Sequence, residues 1–477
     1  MNNETNLISI SKKSFITVLL ILLGLMIAAG ILTYLIPKGE YQRQDGLILE
    51  GTYQTLQETG GFPVWRWLTS PFEVLASDDG LTIIVISVFL LVLGGTFTLM
   101  DQTGGIKVIL SRLIKRYQSR KYALLRIVVL AFMIFGAFFG IFEESIALVP
   151  MMVLLSLSLG WDTMVGLGMT MLAAGFGFAS AITNPFSVGI ASEMAQTNIL
   201  SGVGYRIIVF LILYGVLSTF LVWYAKRIDK NPQSSITYDE DRQKNRHFEA
   251  MESLTPEKEK TIFNAYTIMF IIFLSSIVLI SVLDLFQIVS IPTIPVMAVV
   301  FLVGGFIAGF RVNGNLKAIA KIYAKGMLSV APAILLIMMA ASVKYIIVSG
   351  NVMDTILFYL SNVLTDQTPI IGILLIYALV LITDFFISSA SAKAYLVIPL
   401  LIPLASLVGY SKELMILAFI FGDGYTNVIF PTSAVMLVGL SISGVSYTKW
   451  FKFSGLLQLG VLVLTAVLLV LAYWMGY

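Results

Sequence analysis

The sequence contains no cysteine and only one histidine among its 477 residues. The lack of cysteine excludes disulfide bonds, thiol chemistry and cysteine metal sites. The histidine, His247, lies in a charged stretch, so we expect no catalytic triad, no metal site and no cofactor. Asp, Glu, Lys and Arg together make up 12% of the residues, about half the share typical of a soluble protein. No basic stripe for nucleic acid and no phosphate-binding loop are present, so neither nucleic acid nor ATP is implied.

Hydrophobic residues make up 58% of the chain. Several apolar runs exceed the roughly 20 residues that cross the hydrocarbon core of a bilayer. The composition therefore predicts an all-α polytopic membrane protein that resides in a lipid bilayer. The first run, residues 15–36, follows Lys12 and Lys13 like a signal peptide. It is too long for the apolar region of a signal peptide and lacks a clear cleavage site, so we interpret it as a first span.

Lysine and arginine are concentrated in short connections, at residues 101–121, 311–325 and 449–452. By the positive-inside rule these connections face the cytoplasm. We expect about nine transmembrane spans plus two re-entrant hairpins, with the N-terminus cytoplasmic and the C-terminus external. Residues 226–260, balanced in charge, are predicted to form a flexible cytoplasmic linker. The segment Pro63–Trp67 is predicted to anchor the chain at the membrane interface.

Two adjacent acids, Glu143 and Glu144, lie between two apolar arms in residues 122–160. An ionised side chain near the bilayer centre costs about 2.5–3.5 kcal/mol on insertion scales, so the pair requires water, a counter-charge, a proton or a cationic ligand. An external turn or a structural pair with Arg126 would explain the pair without function. We favour a re-entrant hairpin whose tip, Glu143 to Ser145, contributes to a binding site.

The next run, residues 162–197, is too long and too interrupted for one helix. Thr183, Asn184 and Pro185 lie in its middle, and proline removes a backbone donor and clashes with the preceding turn. A simple kink that only shapes packing would produce the same pattern. We favour two half-helices whose unwound junction offers backbone groups to a ligand.

The second half repeats this order, with Pro150 and Pro399 separated by 249 positions (399 − 150). A second hairpin is predicted at residues 370–408 and a second broken helix at 412–440. Their candidate site residues are Ser389, Ser391, Lys393, Asp423, Asn427, Pro431, Thr432 and Ser433. One unpaired span inverts the second repeat, so the chain divides into residues 1–225 (first repeat), 226–290 (linker and linking span) and 291–477 (second repeat).

Some of these residues allow more than one interpretation. Lys393 could bind a substrate carboxylate, balance an acid or snorkel to the surface. Ser389 and Ser391 could serve only helix packing. Asp423 and Asn427 lie one helical turn apart, so they could form a structural pair or a binding face. Asp384 is interpreted as a partner of Lys344 or as a helix-end acid.

The segment Thr183–Ala191 after Gly175–Ala179, with the Glu143-Glu144 pair, resembles the YfcC-like branch of the C4-dicarboxylate anaerobic carrier family. Leu32–Glu40 is similar to the end of that branch's first span. The resemblance implies the ion transporter superfamily, a homodimer in the bacterial inner membrane, and elevator-type scaffold and transport domains. The second tip is similar to that of p-aminobenzoyl-glutamate transporters and differs from the Ser-Asn-Thr tips of dicarboxylate members.

The charges of the candidate site indicate a substrate class. Three carboxylates, from Glu143, Glu144 and Asp423, face one ammonium group, from Lys393. This balance favours an amino acid with a cationic side chain, and the resemblance adds a link to arginine/ornithine exchange. We therefore predict a basic amino acid carrier that works by exchange or proton-coupled uptake, with H⁺ or Na⁺ as possible coupling ions. A C4-dicarboxylate carrier, an intramembrane enzyme with an acid–base glutamate pair and an ion channel are the alternatives.

Overall fold

The structure is a computed structural model in which helices dominate. The residues that it describes are 12–44, 47–49, 51–57, 60–242, 255–285, 288, 292–362 and 367–477. Residues 243–254, which include His247, lie outside the described residues.

Ten helices in the described ranges are long and apolar enough to cross a membrane. They are Phe15–Leu35, Gly80–Gln102, Lys121–Phe139, Thr163–Met194, Val203–Lys230, Pro256–Ile280, Ile294–Asn313, Leu316–Ser349, Pro369–Phe386 and Tyr447–Trp474. The expectation of a mostly helical, multi-pass membrane protein is thereby confirmed. The inverted relation between the halves and the division into scaffold and transport domains stay predictions.

The framework helices are those outside the two hairpins and the two broken helices. They are Lys12–Leu35, Val64–Glu73, Gly80–Gln102, Gly105–Tyr117, Val203–Lys230, Pro256–Leu285, Thr293–Asn313, Leu316–Val330, Pro332–Ser349, Met353–Asn362 and Tyr447–Trp474. Short 3₁₀ turns follow three of the helices, at Val74–Ala76, Gln118–Arg120 and Pro232–Ser234. Aromatic packing joins several spans, since the Phe301 ring centroid lies 4.5 Å from that of Phe273 and 6.1 Å from that of Phe97.

Two helix–turn–helix segments are here called the first and second hairpins, and two interrupted helices the first and second broken helices; re-entrant entry of the hairpins stays a prediction. The first hairpin comprises Lys121–Phe139, the 3₁₀ turn Glu144–Leu148 and Val149–Ser158, and the second comprises Pro369–Phe386 and Ala390–Val408. The first broken helix comprises Thr163–Leu167, the π-helical turn Gly168–Leu172, Ala173–Ser180, the π-helical turn Pro185–Gly189 and Ile190–Met194. The second broken helix comprises Lys412–Gly424, the 3₁₀ turn Thr426–Val428 and Ala434–Ser443.

The turn before each broken helix recurs at the sequence offset of the repeat. Gly160 and Gly409 both have positive φ, at 86° and 80°. Two residues later, Asp162 accepts a hydrogen bond from the backbone N–H of Val165, and Ser411 accepts one from Leu414, each at 3.0 Å. Both broken helices therefore begin with the same capped turn.

Two basic connections that the sequence analysis treats as loops are instead helical, at Gly105–Tyr117 and Leu316–Val330. In the second of these helices Ile319 and Tyr323 are buried, four residues apart, while its lysines are exposed. Apolar residues at helical spacing give such a helix a buried face, although its charges predict a loop.

The predicted interfacial anchor is the first part of the helix Val64–Glu73. Trp65, Leu68 and Phe72 are each about two-thirds exposed and lie at helical spacing on this helix. An exposed apolar face of this kind is typical of a helix that lies in the membrane interface.

The loop after the first span contains two small antiparallel ribbons. They pair Gly39–Glu40 with Gln54–Thr55 and Arg43–Gln44 with Leu47–Ile48. Arg43 forms an ion pair with Asp354 at 2.7 Å, and the Tyr53 ring stacks on Phe358 at 4.0 Å between centroids. Both contacts attach the ribbons to the helix Met353–Asn362.

The predicted flexible linker is packed in the part that the structure describes. Its residues 231–242, here called the strap, follow the end of the helix Val203–Lys230. Asp241 of the strap accepts the backbone N–H of Thr163 at 2.9 Å, and Ser235 donates to Asp162 at 2.8 Å. These polar contacts attach the strap to the start of the first broken helix, which a balanced charge pattern does not reveal.

The bases of the two hairpins lie at opposite ends of the last helix, Tyr447–Trp474. At its start, Lys449 pairs with Glu240 of the strap at 2.6 Å. The strap follows the helix Val203–Lys230. Near the end of that helix, Asp229 pairs with Lys121 at the base of the first hairpin. At the other end, the C-terminal Tyr477 accepts a hydrogen bond from Ser411, beside the base of the second hairpin.

Candidate functional site

The tip of the first hairpin turns against the first broken helix. Its first arm ends at Gly140, which has a left-handed φ of 67°. A Cβ atom at this position would lie 2.4 Å from Asn184 Oδ1 and 2.6 Å from the Phe186 ring. Only glycine satisfies both the backbone conformation and the close approach. The tip is therefore held in place by the unwound segment that it contacts.

The two glutamates follow directly after this turn. Glu144 is 6% exposed, and Glu143 is half-buried. Across the described ranges, no other residue's side chain forms a hydrogen bond or an ion pair with either carboxylate, and Arg126 pairs with neither. Ser145 donates its hydroxyl to the Phe142 carbonyl at 2.5 Å, so this hydroxyl stabilises the turn. The structure therefore leaves two carboxylates without a counter-charge at a largely enclosed position.

The first broken helix is interrupted at residues 181–184. Ala181 has a left-handed φ of 38°, and Pro185 begins the next helical turn. Thr183 donates its backbone N–H to the Ala137 carbonyl at 3.1 Å and its hydroxyl to the Phe138 carbonyl at 3.0 Å. Both bonds use the free carbonyls at the end of the hairpin's first arm. The hydroxyl of Thr183 is thus engaged by the hairpin.

Asn184 has one engaged and one free polar atom. Its Oδ1 accepts the backbone N–H of Phe186 at 2.9 Å. Its Nδ2 is buried and has no hydrogen-bond partner. The hydroxyl of Ser187 is likewise buried without a partner, and the sequence analysis did not select this residue. Buried polar atoms without partners are rare in native proteins, so such atoms point to a missing ligand, water or ion.

The tip of the second hairpin differs from that of the first. Its helix ends at Phe386 and resumes at Ala390, with Ser389 exposed and Ser391 half-buried. Ser389 accepts the backbone N–H of Ala392 at 3.4 Å. The second tip thus presents hydroxyl groups where the first presents carboxylates.

Lys393 lies fully buried between two aspartates. Its Nζ donates to Asp423 Oδ1 at 2.7 Å and also to Asp384 Oδ1. Asp384 additionally accepts the hydroxyl of Thr426 at Oδ2. The predicted pairing of Asp384 with Lys344 is wrong, because Lys344 instead pairs with Asp79 at 2.7 Å. We call Asp384, Lys393 and Asp423 the charge triad.

The charge triad changes the role available to the lysine. Since both neighbouring carboxylates engage its ammonium group, Lys393 acts as a counter-charge and not as a free ligand for a substrate carboxylate. The sequence analysis missed Asp384 and Thr426 as members of this cluster. A usable signal was present, because Asp384 lies near the end of one hairpin arm and Lys393 lies near the start of the other.

The second broken helix is unwound around Pro431. Asn427 donates its amide to the backbone carbonyl of Asp423 at 2.8 Å, so the two residues touch through the backbone. Ser433 caps the following half-helix by accepting the N–H of Met436 at 3.4 Å. The buried hydroxyl of Thr432 has no partner.

The two broken helices cross at small residues. A Cβ atom on Gly424 would lie 2.2 Å from Ala179 Cα, and one on Gly175 would lie 2.5 Å from a Val428 methyl group. A Cβ atom on Gly175 would also lie 3.6 Å from the ring of Phe142, the residue just before the glutamates. The first tip and both broken helices therefore meet at one place. In the described ranges, Lys393 forms no hydrogen bond or ion pair with either glutamate.

A cavity of about 360 Å³ lies between the framework and the second hairpin. The hairpin contributes Ile387, Ala392 and Leu396 to its wall. The framework contributes the ion pairs Lys344–Asp79 and Arg43–Asp354. This cavity reaches one flank of the second tip but not the first tip.

Comparison with known sequences identifies relatives of the chain. The profile of the family DcuC, described as C4-dicarboxylate anaerobic carrier, matches residues 15–474. The Escherichia coli (strain K12) protein "Putative basic amino acid antiporter YfcC" is 30% identical over 420 residues, which are 85% of this chain and 81% of that protein. An uncharacterized Haemophilus influenzae protein is 28% identical over 375 residues, covering 77% of this chain and 71% of its own.

Two solved transporter structures are also similar. The YdaH transporter of Alcanivorax borkumensis has a TM-score of 0.41 and 17% identity, with 97% of this chain and 98% of that chain covered. MtrF of Neisseria gonorrhoeae, from a class of antimetabolite efflux pumps, has a TM-score of 0.39 and 14% identity, with 96% and 94% covered.

Proposed function

Since the chain belongs to the C4-dicarboxylate anaerobic carrier family and is a multi-pass membrane transporter, we propose that it carries basic amino acids, by arginine/ornithine-type exchange or proton-coupled uptake. The prediction of the family from sequence motifs is confirmed by the match over residues 15–474 and by the YfcC relative. The substrate, the exchange mode and the site residues belong to the proposal.

The observation that carries the proposal is the unbalanced negative charge of the site. Glu143 and Glu144 have no cationic partner among the described residues, and the ammonium group of Lys393 is already bound by two aspartates. Isolated buried charges are costly unless a counter-charge or a proton compensates them. A guanidinium or ammonium group of a substrate would supply that charge, whereas a dicarboxylate would add to the imbalance.

The substrate carboxylate requires donors other than Lys393. The second unwound segment leads into the half-helix Ala434–Ser443, whose first backbone N–H groups carry a partial positive charge. The free hydroxyl of Thr432 lies just before this half-helix, and the free amide of Asn184 lies in the other unwound segment. These donors support binding of a carboxylate at the junction of the broken helices.

The family resemblance extends the proposal to a mechanism. We propose a homodimer in the bacterial inner membrane, in which each protomer moves its hairpins and broken helices as one transport domain past a scaffold. The close crossing of Gly424 with Ala179 supports movement of the two broken helices as a unit. Lipid and the substrate are the remaining partners that this mechanism requires.

Uptake into proteoliposomes tests the proposed function. Vesicles loaded with unlabelled arginine should accumulate labelled arginine, and external ornithine should compete while succinate should not. Glu193→Gln, at an exposed position outside the site, is the matched control and should behave like the wild type.

Transport of labelled succinate, with competition by succinate alone, would replace the proposal by a C4-dicarboxylate carrier. The family description is the observation that favours this second candidate. Chemical conversion of arginine by the reconstituted protein would instead favour an intramembrane enzyme.

A further inference from the structure

The charge triad is enclosed more completely than the rest of the candidate site. The side chains of Lys393 and Asp423 are 0% exposed, and that of Asp384 is 1% exposed. With all three groups ionised, two carboxylates and one ammonium give a net charge of −1. A net charge inside a membrane protein is strongly disfavoured unless something neutralises it.

One atom of the triad is unsatisfied. Lys393 binds Asp384 Oδ1 and Asp423 Oδ1, and Thr426 donates to Asp384 Oδ2. Asp423 Oδ2 is buried without a hydrogen-bond partner. The missing positive charge and the missing partner therefore coincide at this oxygen atom.

A proton fits this oxygen better than a metal ion does. The position between the two carboxylates, where a cation would contact both, is occupied by the Lys393 ammonium group. No group of three or more acidic or histidine side chains suited to a metal ion is found in the part of the chain that the structure describes. Sodium and other hard cations require several oxygen ligands, whereas a proton requires only one.

We propose that Asp423 carries one exchangeable proton at Oδ2 and that its binding and release couple substrate transport to a proton gradient. This inference rests on the proposed function and assigns its coupling ion to a residue. The proton makes the triad neutral, with Lys393 holding Asp384 and Asp423 at a fixed separation. Proton release leaves the net negative charge that movement through the membrane disfavours.

Two buried tyrosines lie on the elements that carry the triad. Tyr425, two residues after Asp423, has a buried hydroxyl without a hydrogen-bond partner. The hydroxyl of Tyr377 forms a hydrogen bond with the hydroxyl of Thr465 at 2.9 Å. The facing part of the first broken helix, Ala173–Ser180, contains no ionisable side chain. The two aspartates and the lysine thus dominate proton binding here.

Flux driven by a pH gradient tests the coupling. Proteoliposomes with equal arginine concentrations on both sides should show net arginine movement in the wild type when a pH gradient is imposed. In Asp423→Asn, the ratio of this net flux to arginine/arginine exchange should fall by about an order of magnitude, as loss of a coupling free energy predicts. Asp239→Asn, an exposed change on the strap, should keep the wild-type ratio.

Infrared spectroscopy tests the proton without any substrate. Protein labelled with ¹³C at the aspartate carboxyl groups should show a protonated-acid band at neutral pH that shifts with the label. This band should be largely lost in Asp423→Asn and unchanged in Asp239→Asn.

The outcomes separate this inference from the proposed function. The coupling role of Asp423 is overturned if the pH gradient drives no net arginine flux in the wild type. It is also overturned if the gradient-driven flux persists in Asp423→Asn. A wild-type spectrum without a protonated aspartate overturns the proton itself, even if arginine exchange is intact. Absence of arginine transport with the band present would remove the proposed substrate and keep the protonated aspartate.

Discussion

At the scale of single residues, the roles of charged side chains depend on their partners. The sequence places Lys393 near a binding site, but an ammonium group there suits a substrate carboxylate and a buried acid equally well. The fold brings both Asp384 and Asp423 into contact with the ammonium group of Lys393. The adjacent glutamates were easier to select, because charge in an apolar run is itself the signal.

Replacing Glu144 by Gln should reduce arginine uptake by about tenfold or more, because the substrate cation loses a buried counter-charge worth on the order of 1.5–3 kcal/mol. Glutamine keeps the size of the side chain, so the protein should still fold and reach the membrane. Initial uptake rates, normalised to protein in the vesicles, measure the effect. Wild-type rates in both Glu143→Gln and Glu144→Gln would remove the pair from substrate binding.

Lys393→Met should lower the free energy of unfolding by about 3–5 kcal/mol, because it leaves the buried carboxylate of Asp384 without its counter-charge. Lys449→Met is the matched control, since Lys449 pairs with Glu240 at a partly exposed position. Surface pairs of this kind contribute about 0–1 kcal/mol. Thermal unfolding of both variants in the same detergent makes the comparison. Equal melting temperatures would show that the triad does not stabilise the fold.

At the scale of elements, prolines predict where helices break better than charges predict where loops lie. The interruptions before Pro185 and around Pro431 follow from lost backbone donors and steric clash. The helices Gly105–Tyr117 and Leu316–Val330 were missed because their lysines and arginines suggested loops. Their buried faces become visible only when the packing partner is known.

Gly424→Ala should lower the melting temperature and slow transport, because its new methyl group would lie 2.2 Å from Ala179 Cα. Such overpacking costs about 1–3 kcal/mol. Gly215→Ala provides the control, since nothing lies within 4 Å of a Cβ atom there. In a helix this change should be neutral or stabilising by about 0.5–1 kcal/mol. Unchanged transport and stability in Gly424→Ala would contradict the close crossing of the broken helices.

The attachment of the strap should depend on pH. Burial raises the pKa of Asp162 to about 6, although Val165, Ser235 and Tyr224 donate hydrogen bonds to it. Because this folded-state pKa lies above the value of about 3.9 for an unfolded aspartate, the contribution to stability is fully present below about pH 4 and is lost as pH rises to about 6.

The melting temperature of the wild type relative to Asp162→Asn should therefore fall between about pH 4 and about pH 6. Asp239→Asn on the exposed side of the strap controls for general effects of charge. A difference in melting temperature between the wild type and Asp162→Asn that stays constant over this pH range would rule out a raised pKa at Asp162.

At the scale of the whole molecule, the sequence reveals an internal offset between the two halves, whereas it does not reveal how the halves pack together. The offset that relates Pro150 to Pro399 also relates the capped turns at Asp162 and Ser411. The meeting of the halves depends on Gly424, Ala179 and Val428, whose small or apolar side chains carry no signal of their partners.

Single introduced cysteines test the opposite entry of the hairpins, because the natural chain contains no cysteine. Ser119→Cys lies at the exposed base of the first hairpin, and Thr368→Cys lies at the exposed base of the second. The two bases lie at opposite ends of the helix Tyr447–Trp474, which at 1.5 Å per residue is about 42 Å long and long enough to span a bilayer. A membrane-impermeant thiol reagent added to intact cells should therefore label Thr368→Cys and should label Ser119→Cys only after permeabilisation. Labelling of both positions from outside would place the hairpins on one face and exclude inverted repeats.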